Sequence, residues 1–167
     1  MLINLDSLIR MTTVEKYRYM LLLIEGQLSS EKDEFANLSN VTAIIKAIID
    51  RCNWVGFYII KKEELVLGFF QGLPACNRIE IGSGVCGTAV FERKVQRIVN
   101  VHEFPGHIAC DCKSNSEIVI PIIKDEIIYG VLDLDSPELD RFGELEEIYL
   151  SKVVEKLCKY IDWKKLI

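Results

Sequence analysis

The spacing of apolar residues changes at Trp54 and changes back near Phe142, and this pair of switches constrains the fold more than any other feature. Before Trp54, apolar residues recur every three or four positions. Val14, Tyr17, Leu21, Ile24 and Leu28 form one stripe, and Leu38, Val41, Ile45, Ile48 and Cys52 form a second, which predicts two amphipathic helices. Thr12 followed by Glu15 has capping-box spacing, and Ser30 with Asp33 marks the second start. From Trp54 the pattern predicts strands. Trp54 to Ile60 and Leu65 to Phe70 are short, aromatic and β-branched, with a hairpin-sized polar gap from Lys61 to Glu64. Ile118 to Ile123 and Ile127 to Asp135 form a second such pair around a turn at Asp125. A last helix is expected from about Phe142 to Asp162, with Leu145, Tyr149, Val153 and Leu157 on one face. Hairpin-paired strands flanked by helices at both ends predict an α+β fold, an antiparallel sheet with segregated helices.

At 167 residues, half of them apolar and with no Pro/Gly/Ser-rich linker, residues 1–167 are expected to form one domain. The longest purely aliphatic stretch, Met20 to Ile24, is too short to cross a membrane, and the first twenty residues lack the pattern of a signal peptide. A cytoplasmic location and no membrane partner follow as expectations. Net charge is −5, from 25 acids against 20 bases, so a nucleic-acid partner is not expected. Six cysteines without an export signal point to a reducing compartment. The sequons at Asn37 and Asn40 then have no glycosylation to receive.

Residues 71–115 are irregular in pattern, with one short helical candidate from Thr88 to Lys94. Gly82-Ser83-Gly84-Val85-Cys86-Gly87 matches G-x-G-x-x-G, but no βαβ unit surrounds it, so a glycine-permitted turn into a helix is the better reading. Cys52 and Cys158 fall on helical stripes and read as structural thiols. Cys76, Cys86, Cys110 and Cys112 lie among turn-forming residues. With His102 and His107 they could ligate zinc, yet the Cys-x2-Cys knuckles of structural zinc sites are missing, and no metal is expected. Thiol redox chemistry needs instead one thiolate to attack and a second within reach, and His107 stands three positions before Cys110.

Glu117 begins one strand, while Asp133 and Asp135 end the next. An odd-numbered turn centred on Asp125 would place Glu117 opposite Asp133 and diagonal to Asp135, all on one face. A two-residue turn would send Glu117 to the other face. Clustered acids repel, so they would bind a cation such as a ligand ammonium, or one carboxyl would keep its proton and serve as an acid. The alternative is a solvated face near the strand ends. Trp54 and Tyr58 share a face across Gly56, either as core or as the aromatic wall of a pocket.

Six blocks together carry a resemblance: Asn53-Trp54-Val55-Gly56-Phe57-Tyr58, Phe70-Gln71-Gly72-Leu73-Pro74-Ala75-Cys76, Gly84-Val85-Cys86-Gly87-Thr88-Ala89, the run from Val101 to Asp111, Ser114-Asn115-Ser116-Glu117-Ile118-Val119, and the run from Gly130 to Pro137. The chain resembles the free methionine-(R)-sulfoxide reductases, enzymes of the GAF fold, over about residues 14 to 160. The resemblance implies a six-stranded antiparallel sheet with helices packed on one side and a loop-covered pocket on the other. It implies reduction of free L-methionine (R)-S-oxide without a cofactor. Cys110 would be the nucleophile, Cys76 and Cys86 would resolve its sulfenic acid as a disulfide, and thioredoxin would reduce that disulfide. Trp54 and Tyr58 would wall the pocket, and Glu117, Asp133 and Asp135 match its carboxylates, one of them acting as proton donor. Backbone N–H groups between Gly84 and Thr88 could hold the substrate carboxylate. Cys112 departs from the pattern, where a small non-thiol residue is expected. A homodimer through the first helix is a further expectation. The rival readings are a non-catalytic GAF sensor, which needs neither nucleophile nor resolver, and a zinc-stabilised interaction module.

Overall fold

The computed structural model describes residues 8–106 and 113–167. Helix α1 (Thr13–Ser30) starts on the capping box that the sequence suggests: Glu15 N–H donates to Thr12 Oγ1 at 3.3 Å, and Thr12 N–H donates to Glu15 Oε2 at 2.8 Å. Helix α2 (Glu34–Ile48) is capped by Asp33, whose carboxylate accepts from Ala36 N–H at 2.8 Å. Ser30 belongs to the end of α1 rather than to the start of α2, and its hydroxyl donates back to Gly26 O at 2.8 Å. Strands β1 (Trp54–Lys61) and β2 (Glu64–Gln71) follow as a hairpin.

The segment expected to be irregular contains three elements: β3 (Arg78–Glu80), helix α3 (Gly84–Glu92) and β4 (Gln96–Ile98). The two strands are only three residues long, too short for apolar alternation to mark them in the sequence. A 3-10 turn at Val101–Glu103 leads on towards β5 (Ser116–Lys124), which pairs with β6 (Ile127–Ser136). Helix α4 spans Glu144–Tyr160, two residues inside each predicted end. Among the described residues, no helix is long and apolar enough to cross a membrane.

All six strands form one antiparallel sheet in the order β3-β2-β1-β6-β5-β4. One face carries Val55, Phe57, Ile59, Ile118, Ile120, Ile122, Leu132 and Leu134, which pack with the stripes of α1, α2 and α4 into the main core. Each such side chain, fully buried, contributes about 1.5–3 kcal/mol. The opposite face carries Trp54, Tyr58, Val119 and Val131 and packs against Val85, Cys86, Ala89 and Val90 of α3. Three helices therefore lie on one side, as expected, and the short α3 lies on the other.

Both long hairpins close through two-residue turns with left-handed backbone at each central residue. These are Lys62 (φ 51°) with Glu63 (φ 69°), and Asp125 (φ 50°) with Glu126 (φ 62°). Such turns match the strand twist. The β5–β6 turn is thus not the odd-numbered one. By simple alternation it would turn Glu117 to the wrong face, but a bulge restores it. Ile123 pairs with Ile128 while Ile122 pairs with Gly130, so Tyr129 is an extra residue in β6. Beyond it Glu117 stands opposite Asp135, and Val119 opposite Asp133. The acids thus share a face although the turn has two residues, because the bulge does what the odd-numbered turn was expected to do, and Glu117 is diagonal to Asp133 rather than opposite it.

Candidate active site

The acids project from the α3 side of the sheet, next to the start of β1. Trp54 pairs with Asp135 and Gly56 with Asp133, so one sheet face brings the carboxylates and the aromatic residues together. The Trp54 indole lies over Gly56, where any Cβ would collide with the ring. It stacks with Tyr58 (centroids 5.9 Å apart) and with Phe70 (5.5 Å). Trp54 and Tyr58 are both buried. Their polar ends tie down the following segment: Trp54 Nε1 donates to Leu73 O at 3.1 Å, and the Tyr58 hydroxyl donates to Cys76 O at 3.0 Å. Phe70 as a third ring, and the aromatic hold on the Cys76 segment, were not read from the sequence. The signal available was the glycine at Gly56, which leaves room for an indole.

Glu117 and Asp133 are buried and Asp135 is half-buried. Burial, and the charges of Asp133 and Asp135, push the Glu117 carboxyl well above the ordinary range. Burial pushes Asp133 up to about 7, opposed by hydrogen bonds from Cys86 and Glu117. At least one carboxyl of the pair therefore keeps its proton near neutrality, which is one of the two resolutions that the sequence left open. Asp133 Oδ1 is buried without a hydrogen-bond partner.

Cys86 sits in the first turn of α3 with its thiol 3.9 Å from Glu117 Oε1. It is a free thiol, and burial, with Asp133 and Glu117 nearby, holds its pKa well above the ordinary value. Cys76 is half-buried and disulfide-bonded, and its partner is none of Cys52, Cys86 and Cys158, all of which are free. Cys52 is buried with its sulfur 3.0 Å from the carbonyls of Trp54 and Asp135, a structural thiol as expected, whereas Cys158 is only half-buried. Cys110, Cys112 and His107 lie outside the described residues. His102 is exposed, and its Nε2 lies 2.9 Å from Asn115 Oδ1.

The G-x-G-x-x-G run forms the entry to α3. Gly82 N–H donates to Gly87 O at 2.9 Å, and a Cβ on Gly87 would run into Glu80 O, so close packing accounts for that glycine. Ser83 makes no side-chain cap, so the first-turn N–H groups of Gly84, Val85 and Cys86 are not capped by it. Thr88 stands one turn further in, with its hydroxyl on Gly84 O at 2.6 Å. Its own N–H faces back into the helix, so it drops out as an anion donor.

The pattern of the GAF domain family matches residues 33–158. A relative in Escherichia coli, named free methionine-R-sulfoxide reductase, is 47% identical over 141 residues, which span 83% of this chain and 86% of the relative. The chain belongs to the free methionine-R-sulfoxide reductase family of GAF domains. Two solved members of this family are close in structure. That of fRMsr from Staphylococcus aureus in complex with substrate is 46% identical, covers 86% of this chain and 94% of its own, and superposes with a TM-score of 0.82. The free methionine-R-sulfoxide reductase from Neisseria meningitidis, in complex with its substrate, is 39% identical, covers 92% of both chains and has a TM-score of 0.86.

Proposed function

We propose that the protein reduces free L-methionine (R)-S-oxide to L-methionine. The observation that carries the reading is the pairing of buried carboxyl groups, on one sheet face, with an aromatic wall that grips the disulfide-bonded Cys76. Family membership supports it. The substrate ammonium would offset the clustered acids Glu117, Asp133 and Asp135, and Trp54 and Tyr58 would flank its methyl-thioether end. The first-turn N–H groups of Gly84, Val85 and Cys86 would receive its carboxylate.

Cys110, in the position of the family's nucleophile, attacks the sulfoxide sulfur as a thiolate. The protonated Glu117 carboxyl delivers a proton to the sulfoxide oxygen, with Asp135 as the other candidate donor by family resemblance. The oxygen passes to Cys110 as a sulfenic acid and methionine leaves as the thioether. The Cys76 thiol then condenses with the sulfenic acid, releasing water and forming a disulfide. An external dithiol, thioredoxin by family resemblance, reduces that disulfide and is itself oxidised. Cys76 suits the resolving role better than Cys86. It is half-buried and already disulfide-bonded, whereas Cys86 is free, deeply buried and held as a thiol by the acids around it.

The test is incubation with racemic methionine sulfoxide and dithiothreitol, followed by chiral separation of the residual epimers. Consumption of the R epimer alone, abolished in Cys110→Ser, is expected. Consumption of neither epimer by the folded protein would overturn the proposal and favour a ligand-binding role for the same pocket.

A further inference from the structure

Cys86, Glu117 and Asp133 reach one point from three different elements, α3, β5 and β6. The Cys86 sulfur and one carboxylate oxygen from each acid all lie within 4.8 Å of one another. All three residues are buried, at 3%, 6% and 5% exposure, and one oxygen of Asp133 has no hydrogen-bond partner. Among the described residues, no lysine or arginine pairs with Glu117 or Asp133. A sulfur and two carboxylates without a cation are the donor set of a transition-metal site that leaves a fourth position open.

We propose that, with Cys76 in its disulfide and Cys86 free, these three side chains bind one thiophilic divalent cation of the zinc class, in the seat otherwise taken by the substrate. The thiolate selects zinc or cadmium over magnesium and calcium, which require more oxygen ligands than this pocket offers. Zinc bonds of about 2.3 Å to sulfur and about 2.0–2.2 Å to oxygen, at tetrahedral angles, place the two donors roughly 3.5 Å apart. The observed separations, 3.9 Å between Cys86 Sγ and Glu117 Oε1 and none above 4.8 Å, would have to contract towards this value on binding. Binding exchanges protons for metal: the thiol proton and any carboxyl proton pass to solvent, with no change of oxidation state. This ligand set differs from the cysteine–histidine set weighed from the sequence, with only Cys86 in common. The shared seat rests on the function proposed above, whereas the metal binding does not.

The experiment titrates the oxidised full-length protein with cadmium chloride, without substrate or added thiol, and follows the thiolate-to-cadmium charge-transfer absorbance. One equivalent is expected to saturate the band in the wild type and in Cys158→Ser. The band is expected to vanish in Cys86→Ser, and the midpoint to weaken by about tenfold or more in Asp133→Asn. Far-UV circular dichroism checks the fold of each variant, and Asp133→Asn, which keeps the thiol, decides the matter if Cys86→Ser does not fold. An unchanged midpoint in either folded variant overturns the site. Because the readout is spectroscopic, a protein inactive on sulfoxides still answers the question. Free methionine sulfoxide is expected to raise the cadmium midpoint, and an unshifted midpoint overturns the shared seat.

Discussion

A carboxyl such as Asp133, buried beside Glu117, holds its proton up to about pH 7, whereas the ordinary value is 3.8. Between those values the native state binds a proton that the unfolded chain has lost, so the stability contribution of this residue falls as pH rises and is lowest above the upper value. Asp133→Asn should therefore raise the melting temperature relative to wild type by more at about pH 8 than at about pH 4. Each kcal/mol released corresponds to about 2–4 °C in a chain of this size. Scanning calorimetry at the two pH values checks this, and an equal difference at both would show that the residue is not held protonated. Activity carries the same sign: a rate that depends on the protonated carboxyl declines as pH rises through neutrality. Glu117→Gln should remove most of the turnover if that residue is the donor, by about 10²–10⁴-fold, the range typical of general acids. At this scale the grouping of the acids with Trp54 and Tyr58 on one sheet face was legible in the sequence, because strand alternation and residue type both point to it. The thiol state of Cys86 was not legible. It depends on which acids face it from other elements, and no local pattern encodes that.

At the level of the element, capping and periodicity translate directly into structure. Thr12→Ala removes one half of the α1 capping box and should cost about 0.5–2 kcal/mol of stability, measured by urea unfolding, while leaving turnover per folded molecule unchanged. Both long hairpins were legible as hairpins, but their turn type was not. Left-handed central residues usually announce themselves as glycine, asparagine or aspartate, and of the four only Asp125 does, whereas Lys62, Glu63 and Glu126 carry no such mark. The bulge at Tyr129 was equally silent, although Gly130 beside it hinted at a close approach: a Cβ there would collide with Tyr58 O across the sheet. Gly130→Ala should accordingly destabilise the protein by about 1–3 kcal/mol, read as a lower denaturation midpoint. Edge strands β3 and β4 are not legible in the sequence because hydrogen bonding to a neighbour, rather than a run of alternating side chains, defines them.

Across the whole molecule, the layers are joined at one buried charged node. The Arg141 guanidinium donates to Glu146 Oε1 at 2.7 Å, to Asp50 Oδ1 at 3.1 Å and to the Asp50 carbonyl at 3.2 Å, and the Tyr17 hydroxyl donates to the same Glu146 oxygen at 2.7 Å. The backbone N–H of Arg141 donates to Ser116 Oγ at 3.3 Å, so α1, α4, the α2–β1 connection and the start of β5 meet at a single residue. Burial and a hydrogen bond to Glu146 push the Tyr17 hydroxyl up to about 12, so it stays a donor to Glu146 near neutrality. Arg141→Ala leaves Glu146 buried without its cation and should cost about 3–5 kcal/mol, seen as a large fall in melting temperature. The α+β class was legible from the two changes of period. The placement of α3 across the sheet from the other helices was not, because a nine-residue helix with apolar residues on most sides carries no directional stripe.

Strand β6 also has something like a reading frame. Beyond Tyr129 its residues alternate between the three-helix core and the acid-lined face, so a single residue gained or lost in that arm would exchange Asp133 and Asp135 for Leu132 and Leu134. Only the tip, Asp125 and Glu126, can change length without displacing everything downstream. Insertions in this hairpin, whether engineered or inherited, are thereby confined to the one place where the count of residues does not matter.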